Sequence, residues 1–194
     1  MQRMRTRLRP LPALAVLALA ILFASGCGGS EGGDYGGEHP DYKPLAQAPP
    51  PLKGLYEQGD ELLGGGTSAY EKRIEQLHGY PIVVNLWASW CVPCRAEFPT
   101  LQNLSARYGK KVAFLGINSE DSSDAAATFL EEAPLPYPSY SDPDKDIYGS
   151  LGGYGFPNTA FYDRSGELVY LHKGQYSDEA ALEADMRRYA LQSG

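Results

Sequence analysis

Two cysteines, Cys91 and Cys94, are the residues of this 194-residue chain best placed to do chemistry. A C-x-x-C spacing brings two sulfurs within bonding distance across one helical turn, and a helix N-terminus favours thiolate over thiol. We therefore predict Cys91 as the nucleophile and Cys94 as the thiol that resolves a mixed disulfide. Pro93 between them has no N–H to lose at a helix start and stiffens the loop. The segment predicts thiol–disulfide exchange.

Two other uses of this cysteine pair stay open, a zinc half-site and an inert disulfide. Zinc needs about four ligands, but the sequence has no second C-x-x-C and its three histidines are scattered singly. An inert disulfide suits an exported protein better. The apolar stretch before the motif and Trp90 beside Cys91 favour redox chemistry, so we predict no metal site.

The elements that must position the cysteines alternate along residues 54–194. An apolar run over residues 81–87 predicts a buried strand that leads into the motif, and a helix from about Cys91 to Tyr108 follows. A second buried strand over 111–117, a hairpin turning at 163–166 and a final helix come later. The order β-α-β-α-β-β-α predicts an α/β domain with a central mixed sheet flanked by helices.

The N-terminus carries the pattern of an export signal. Four arginines precede an apolar run over residues 11–24, which is too short to span a bilayer comfortably. The run ends in small residues before Cys27, which resembles a bacterial lipobox. We predict a lipoprotein signal peptide over residues 1–26 and lipidation of Cys27, which would hold the protein on the extracytoplasmic face of the cell membrane. Ordinary cleavage that leaves Cys27 free is the alternative.

Residues 27–53 are rich in Gly and Pro, and we predict a flexible tether there, before the domain at 54–194. Removing the signal lowers the basic residues from 17 to 13 against 24 acidic ones, for a net charge of −11. Nucleic-acid binding is disfavoured, because an acidic body lacks the positive surface that phosphate backbones require.

The segment VNLWASWCVPCRAEFP, from Val84 to Pro99, resembles the active-site segment of the TlpA/ResA-like extracytoplasmic thioredoxins. The resemblance continues at GFPNT (155–159) and DRSGELV (163–169) and covers about residues 54–194. It implies a thioredoxin-like fold and a thiol:disulfide oxidoreductase that reduces protein disulfides, as in cytochrome c maturation. It also implies no cofactor, protein disulfides as substrates and a CcdA/DsbD-like membrane electron donor.

The same resemblance implies roles for residues outside the cysteine pair. Pro157 would be a cis-proline facing the disulfide, and the Phe156 backbone would pair with an extended substrate. Trp90 and Pro93 would contact substrate at the rim. Asn158 departs from the threonine usual in the family.

Glu97 lies three residues after Cys94 on the same helical side, and Asn85 replaces the buried aspartate of cytoplasmic thioredoxins. The resemblance implies that Glu97 tunes the thiols and shuttles protons. Burial would raise its pKa and suit it to that work. The alternative is a solvated acid that favours the first turns of the helix.

Rival functions remain. Electron flow could run the other way, in a disulfide-forming oxidant, because C-x-x-C proteins of this fold span roughly −270 to −120 mV. A lipid-anchored metal or haem chaperone is the alternative from the binding class. A peroxiredoxin is disfavoured, because the P-x-x-x-[ST]-x-x-C pattern would need Pro and Ser or Thr where this chain has Val84 and Ala88.

Overall fold

The computed structural model describes residues 39–192. After a 3₁₀ turn at Lys43–Gln47, the elements are α1 (Pro50–Tyr56), β1 (Leu62–Leu63), α2 (Gly66–Gln76), β2 (Ile82–Trp87), α3 (Val92–Tyr108), β3 (Ala113–Ser119), α4 (Ser123–Glu132), β4 (Ser139–Asp142), α5 (Asp146–Ser150), β5 (Asn158–Tyr162), β6 (Leu168–Lys173), α6 (Glu179–Asp185) and a π-helical stretch at Met186–Leu191. The predicted signal peptide, Cys27 and residues 27–38 lie outside this range. Over residues 39–192, no helix is long and apolar enough to cross a bilayer.

The six strands form one mixed sheet in the order β1-β4-β3-β2-β5-β6. Strands β1 to β4 pair in parallel, whereas β5 runs antiparallel to both β2 and β6. The parallel strands therefore all end at the same edge of the sheet, which is where β2 leads into the cysteines.

The sheet carries a hydrophobic core on each face. Along β2, Val83 and Trp87 face a cluster built with α3, α4 and α6, whereas Val84 and Leu86 face one built with α1, α2 and α5. Every residue of β2 is buried, because strand side chains alternate between faces and helices cover both. The predicted mixed sheet flanked by helices is confirmed.

The end of β2 is fixed by Trp87. Its indole N–H donates to Ser139 Oγ on β4 at 3.1 Å, and its ring packs edge-on against Phe98 of α3 with centroids 5.2 Å apart. Gly116 on β3 leaves room for this contact, because a Cβ there would lie 2.1 Å from Ser139 Oγ. These contacts hold the strand end against the helix, so the short turn after Trp87 delivers Cys91 to the start of α3.

The segment before residue 54 is folded, which corrects the predicted extent of the tether. Lys43–Gln47 and α1 are helical, and Leu45, Leu52 and Leu55 are buried. Pro44, Pro50 and Pro51 occupy the first two positions of helices, where the missing N–H costs nothing. The tether prediction gave weight to the proline triplet Pro49–Pro51 and overlooked the leucine spacing that gives α1 a buried side.

This N-terminal segment packs at the end of the sheet opposite the cysteines. The Tyr56 hydroxyl at the end of α1 donates to the carbonyl of Val112, just before β3 begins, at 2.6 Å. Leu45 packs against Gly109 at the C-terminal end of α3, so closely that a Cβ on that glycine would clash with the leucine. The folded domain therefore begins no later than residue 43.

Replacing Leu52 tests whether this segment belongs to the domain. Leu52→Ala is expected to lower the free energy of unfolding by about 2–5 kcal/mol, because a fully buried leucine loses its packing. The exposed neighbour Lys53 provides the control, and Lys53→Ala should cost less than about 1 kcal/mol. Urea denaturation measures both, and equal effects of the two variants would contradict this boundary.

Candidate active site

Cys91 and Cys94 form a disulfide at the N-terminus of α3, with their Cα atoms 5.2 Å apart. Cys91 is the N-cap residue, and its sulfur accepts a hydrogen bond from the Cys94 backbone N–H at 3.1 Å. When the disulfide is reduced, this donor and the helix N-terminus favour negative charge on Cys91. The local structure therefore favours Cys91 as the attacking thiolate.

The Phe156–Pro157 peptide bond, immediately before β5, is cis. The next residue, Asn158, is fully buried and its side-chain amide donates to the Gly155 carbonyl at 2.6 Å. The Tyr148 hydroxyl donates to that same carbonyl at 2.6 Å. The position at which this chain departs from the usual threonine thus carries an amide that fastens the proline loop.

A groove of about 510 Å³ lies beside the disulfide. It is lined by Trp90, Cys91, Val92, Pro93, Glu120, Lys145, Tyr148, Gly155 and Phe156. Trp90 forms one wall: its side chain is 56% exposed, its indole N–H donates to the Glu120 carbonyl at 2.9 Å, and its ring stands edge-on to Phe156 at 5.4 Å. The groove therefore offers an apolar surface next to a sulfur that is itself almost covered.

An ion pair that the sequence analysis missed also lines the groove. Lys145 Nζ lies 3.1 Å from Glu120 Oε2, and the ammonium is 5.7 Å from the centre of the Tyr148 ring. Both residues have left-handed backbone conformations, with φ of 62° and 55°. Side chains this exposed gain little stability from pairing. No local sequence signal marks the pair, because the two residues come from different loops.

Glu97 lies within the domain, one turn beyond Cys94 on α3, and only 3% of its surface is exposed. One carboxylate oxygen accepts the Tyr176 backbone N–H at 2.9 Å, and the other accepts the Asn85 side-chain amide at 3.5 Å. Burial raises the pKa of Glu97 to about 7, against the opposing effect of the Tyr176 hydrogen bond. Near neutral pH this carboxyl can both take up and release a proton.

The structure gathers most of the predicted site residues in one place. Cys91, Trp90, Pro93 and Phe156 share the groove, and Pro157 follows directly on Phe156. Cys94 and Glu97 lie behind them on α3. Cys27 lies outside the described residues. Among residues 39–192, no three His, Cys, Asp or Glu side chains gather as a metal-ligand set.

Tyr176 was missed by the sequence analysis, although it contacts Glu97. It lies between β6 and α6, where its backbone N–H binds the carboxylate. A backbone donor can come from any residue type, so its presence depends on where the loop lies after folding. Composition and spacing carry no signal for it.

The comparison with protein families settles the assignment of the chain. The Redoxin family model matches residues 65–186, well over half of the sequence. The chain belongs to the Redoxin family. The match includes β2, the C-x-x-C turn, α3 and the cis-proline loop, which are the parts that build the groove.

Curated relatives of this Redoxin chain carry the name thiol:disulfide interchange protein DsbE. The one from Pseudomonas fluorescens biotype C is 42% identical over 93 residues, 47% of this chain and 51% of that protein. The one from Escherichia coli K12 is 38% identical over 97 residues, 50% of this chain and 51% of that protein. The chain thus matches about half the length of these relatives.

The solved structures give a broader overlap. A Chlorobium tepidum protein, provisionally described as a thiol:disulfide interchange protein DsbE, superimposes with a TM-score of 0.56 at 28% identity. The superposition covers 60% of this chain and 84% of that one. The expected thioredoxin-like fold is confirmed.

The raised pKa of Glu97 predicts a pH-dependent stability. An unfolded glutamate releases its proton near 4.5 and the folded one near 7, so the folded state is expected to lose stability as pH rises between these values. Glu97→Gln stays neutral and should gain roughly 3 kcal/mol relative to the wild type across this window.

Urea denaturation of the oxidised proteins at pH 4.5 and pH 8 measures this difference. The exposed Glu131 on α4 supplies the matched control, and Glu131→Gln should follow the wild type. Parallel pH profiles for wild type and Glu97→Gln would contradict a pKa raised by burial.

Proposed function

We propose that the chain is an extracytoplasmic thiol:disulfide oxidoreductase that reduces protein disulfides through a Cys91/Cys94 cycle. The observation that carries the proposal is the cysteine pair at the start of α3, with the Cys91 sulfur beside an open groove and the buried Glu97 carboxyl behind Cys94. The names of the DsbE relatives support the same activity.

The reaction needs two sulfur attacks. The Cys91 thiolate attacks a substrate disulfide, a Cys91–substrate mixed disulfide forms, and the first substrate sulfur leaves and takes up a proton. Cys94 then gives its proton to the Glu97 carboxylate and attacks the Cys91 sulfur. The second substrate sulfur leaves, so the substrate gains two electrons and the Cys91–Cys94 disulfide is restored.

The groove suits an extended peptide next to the substrate cysteine. Trp90 and Phe156 offer aromatic surface on one side, and the backbone before Pro157 lies at the start of β5, where an added strand could pair. Pro93, which lies between the two cysteines in the sequence, also lines the groove. These features support binding of an unfolded or flexible protein segment.

Protein disulfides, including those of an apocytochrome c, are the proposed substrates. The oxidised pair would be reduced again by a membrane thiol carrier of the CcdA/DsbD type, as the sequence resemblance implies. The residues of the site supply both exchange steps, so the proposal includes no metal or organic cofactor.

Serine substitutions test the cycle. Cys91→Ser should reduce disulfide reduction to the uncatalysed background, because the attacking sulfur is gone. Cys94→Ser should accumulate the mixed disulfide, because the resolving sulfur is gone while Cys91 still attacks. Insulin reduction and mass spectrometry of the trapped species measure these outcomes. A Cys91→Ser protein with wild-type activity would refute the proposal.

The equilibrium potential decides the direction of electron flow. Equilibration of the Cys91/Cys94 pair with glutathione should give a value towards the reducing end of the range of roughly −270 to −120 mV. A value near −120 mV would overturn the reductase assignment in favour of a disulfide-forming oxidant.

The proposed location rests on Cys27. Expression of the full chain with a labelled fatty acid should give a lipid-labelled, membrane-bound protein, and Cys27→Ser should lose both the label and the membrane association. Ser30→Ala, three residues away, is the control and should behave as the wild type. Equal labelling of Cys27→Ser and wild type would rule out the proposed anchor.

A further inference from the structure

A row of three polar residues crosses the sheet behind the active site. Asn85 on β2 pairs with Thr159 on β5, and Thr159 pairs with His172 on β6. Residues directly opposite in antiparallel strands point to the same face, with Cβ atoms roughly 4.5–5.5 Å apart. Asn85 contacts Glu97, so the row lies on the side of the sheet that α3 covers.

The inner part of this row holds polar atoms without partners. Asn85 Oδ1 and Thr159 Oγ1 are both buried and make no hydrogen bond in the structure. Neither residue is more than 1% exposed. Buried polar atoms in proteins are commonly joined by an internal water that binds two to four of them. An amide oxygen and a hydroxyl on paired strand positions supply two such groups.

The outer end of the row reaches the surface. His172 lies on β6, the edge strand, and its side chain is 24% exposed. Its ring stacks on Tyr176 with centroids 3.8 Å apart, and the Tyr176 backbone N–H is the donor to Glu97. One residue therefore touches both the buried carboxyl and the exposed imidazole.

The proposed reaction requires a route by which protons leave the buried Glu97 carboxyl. Cys94 is 1% exposed and Glu97 is 3% exposed, so a proton passed from the thiol to the carboxylate has no direct contact with bulk water. It must leave before the carboxylate can accept another. A hydroxyl can accept one proton while it donates another. A buried carboxyl needs such a group nearby if it is to lose its proton in every reaction cycle.

We propose that Thr159, with an internal water held between it and Asn85, relays protons between Glu97 and His172. The inference rests on the proposed function. The Cys94 proton moves to Glu97, then to the water and the Thr159 hydroxyl. Because Thr159 Oγ1 makes no direct hydrogen bond to His172, a second internal water carries the proton from the hydroxyl to His172 and so to solvent. No electrons move in the relay, and each member returns to its starting protonation state. Thr159 is a positioning residue, because it acts through Glu97.

Titratable groups lie at both ends of the relay. Around Glu97, burial and, to a lesser extent, the charge of the carboxylate raise the pKa of Tyr137 on the loop before β4 and of Tyr176 before α6, so both phenols stay neutral. Around His172, Asp185 of α6 lies 3.9 Å from Nδ1 and favours the protonated ring, while burial lowers the pKa of the imidazole. Tyr170 lies on the same strand, 6.4 Å from His172.

Thr159→Val removes the hydroxyl and keeps the shape. It is expected to slow the resolution of a preformed Cys91 mixed disulfide by roughly 10- to 100-fold and to change the solvent deuterium isotope effect of that step. The Cys91/Cys94 potential should stay unchanged, because a relay alters the rate and not the end states. Thr159→Ser should restore the rate. Thr128→Val, the same change on exposed α4, should leave it unaltered.

Stopped-flow kinetics in H₂O and D₂O measure these rates, and a high-resolution crystal structure of the wild-type protein tests the water site directly. A Thr159→Val protein with the wild-type rate and isotope effect would overturn the relay, as would a site without water near Thr159 Oγ1. A wild-type protein that exchanges no disulfides would instead defeat the proposed function, and the relay's role with it.

Discussion

The hydrogen bond from the Cys94 amide to the Cys91 sulfur is an N-cap bond within the first turn of α3, four residues after β2 ends at Trp87. The position of that turn relative to the sheet is constrained by the packing of β2 against α3. The contacts of Trp87 with Ser139 and Phe98 supply that constraint by tying the strand end to β4 and to α3. The chemistry of Cys91 therefore depends on packing in the core. A substitution in that core would therefore change the surroundings of the Cys91 sulfur without contacting it.

The buried Glu97 shows the cost of placing a titratable carboxyl in such a core. A carboxyl with a pKa near 7 is less stable in the folded protein than a neutral side chain of the same shape. Two hydrogen-bond donors, from Tyr176 and Asn85, offset part of the desolvation. Residues that lower stability while serving chemistry are typical of active sites. The same reasoning extends to the proposed relay through Thr159, whose buried hydroxyl makes no hydrogen bond within residues 39–192.

Sequence patterns predicted those parts of the structure that depend on residues close together in the chain. The run before the motif and the C-x-x-C spacing were sufficient to place β2, α3 and both cysteines, because each depends on neighbours in the sequence. The contact of Tyr176 with Glu97 and the pairing of Thr159 with Asn85 could not be foreseen, since they depend on loop paths and strand register. The N-terminal helices were misjudged for another reason: proline is as compatible with a helix start as with an extended tether.

The N-terminal segment and the cysteine pair lie at opposite ends of the domain. The chain enters where Leu45 meets the C-terminal end of α3, a helix of 17 residues and therefore about 25 Å long, while Cys91 caps the other end. An anchor attached through this entry point would leave the groove at the opposite pole. The groove would then face away from the anchored end, separated from it by about the length of α3.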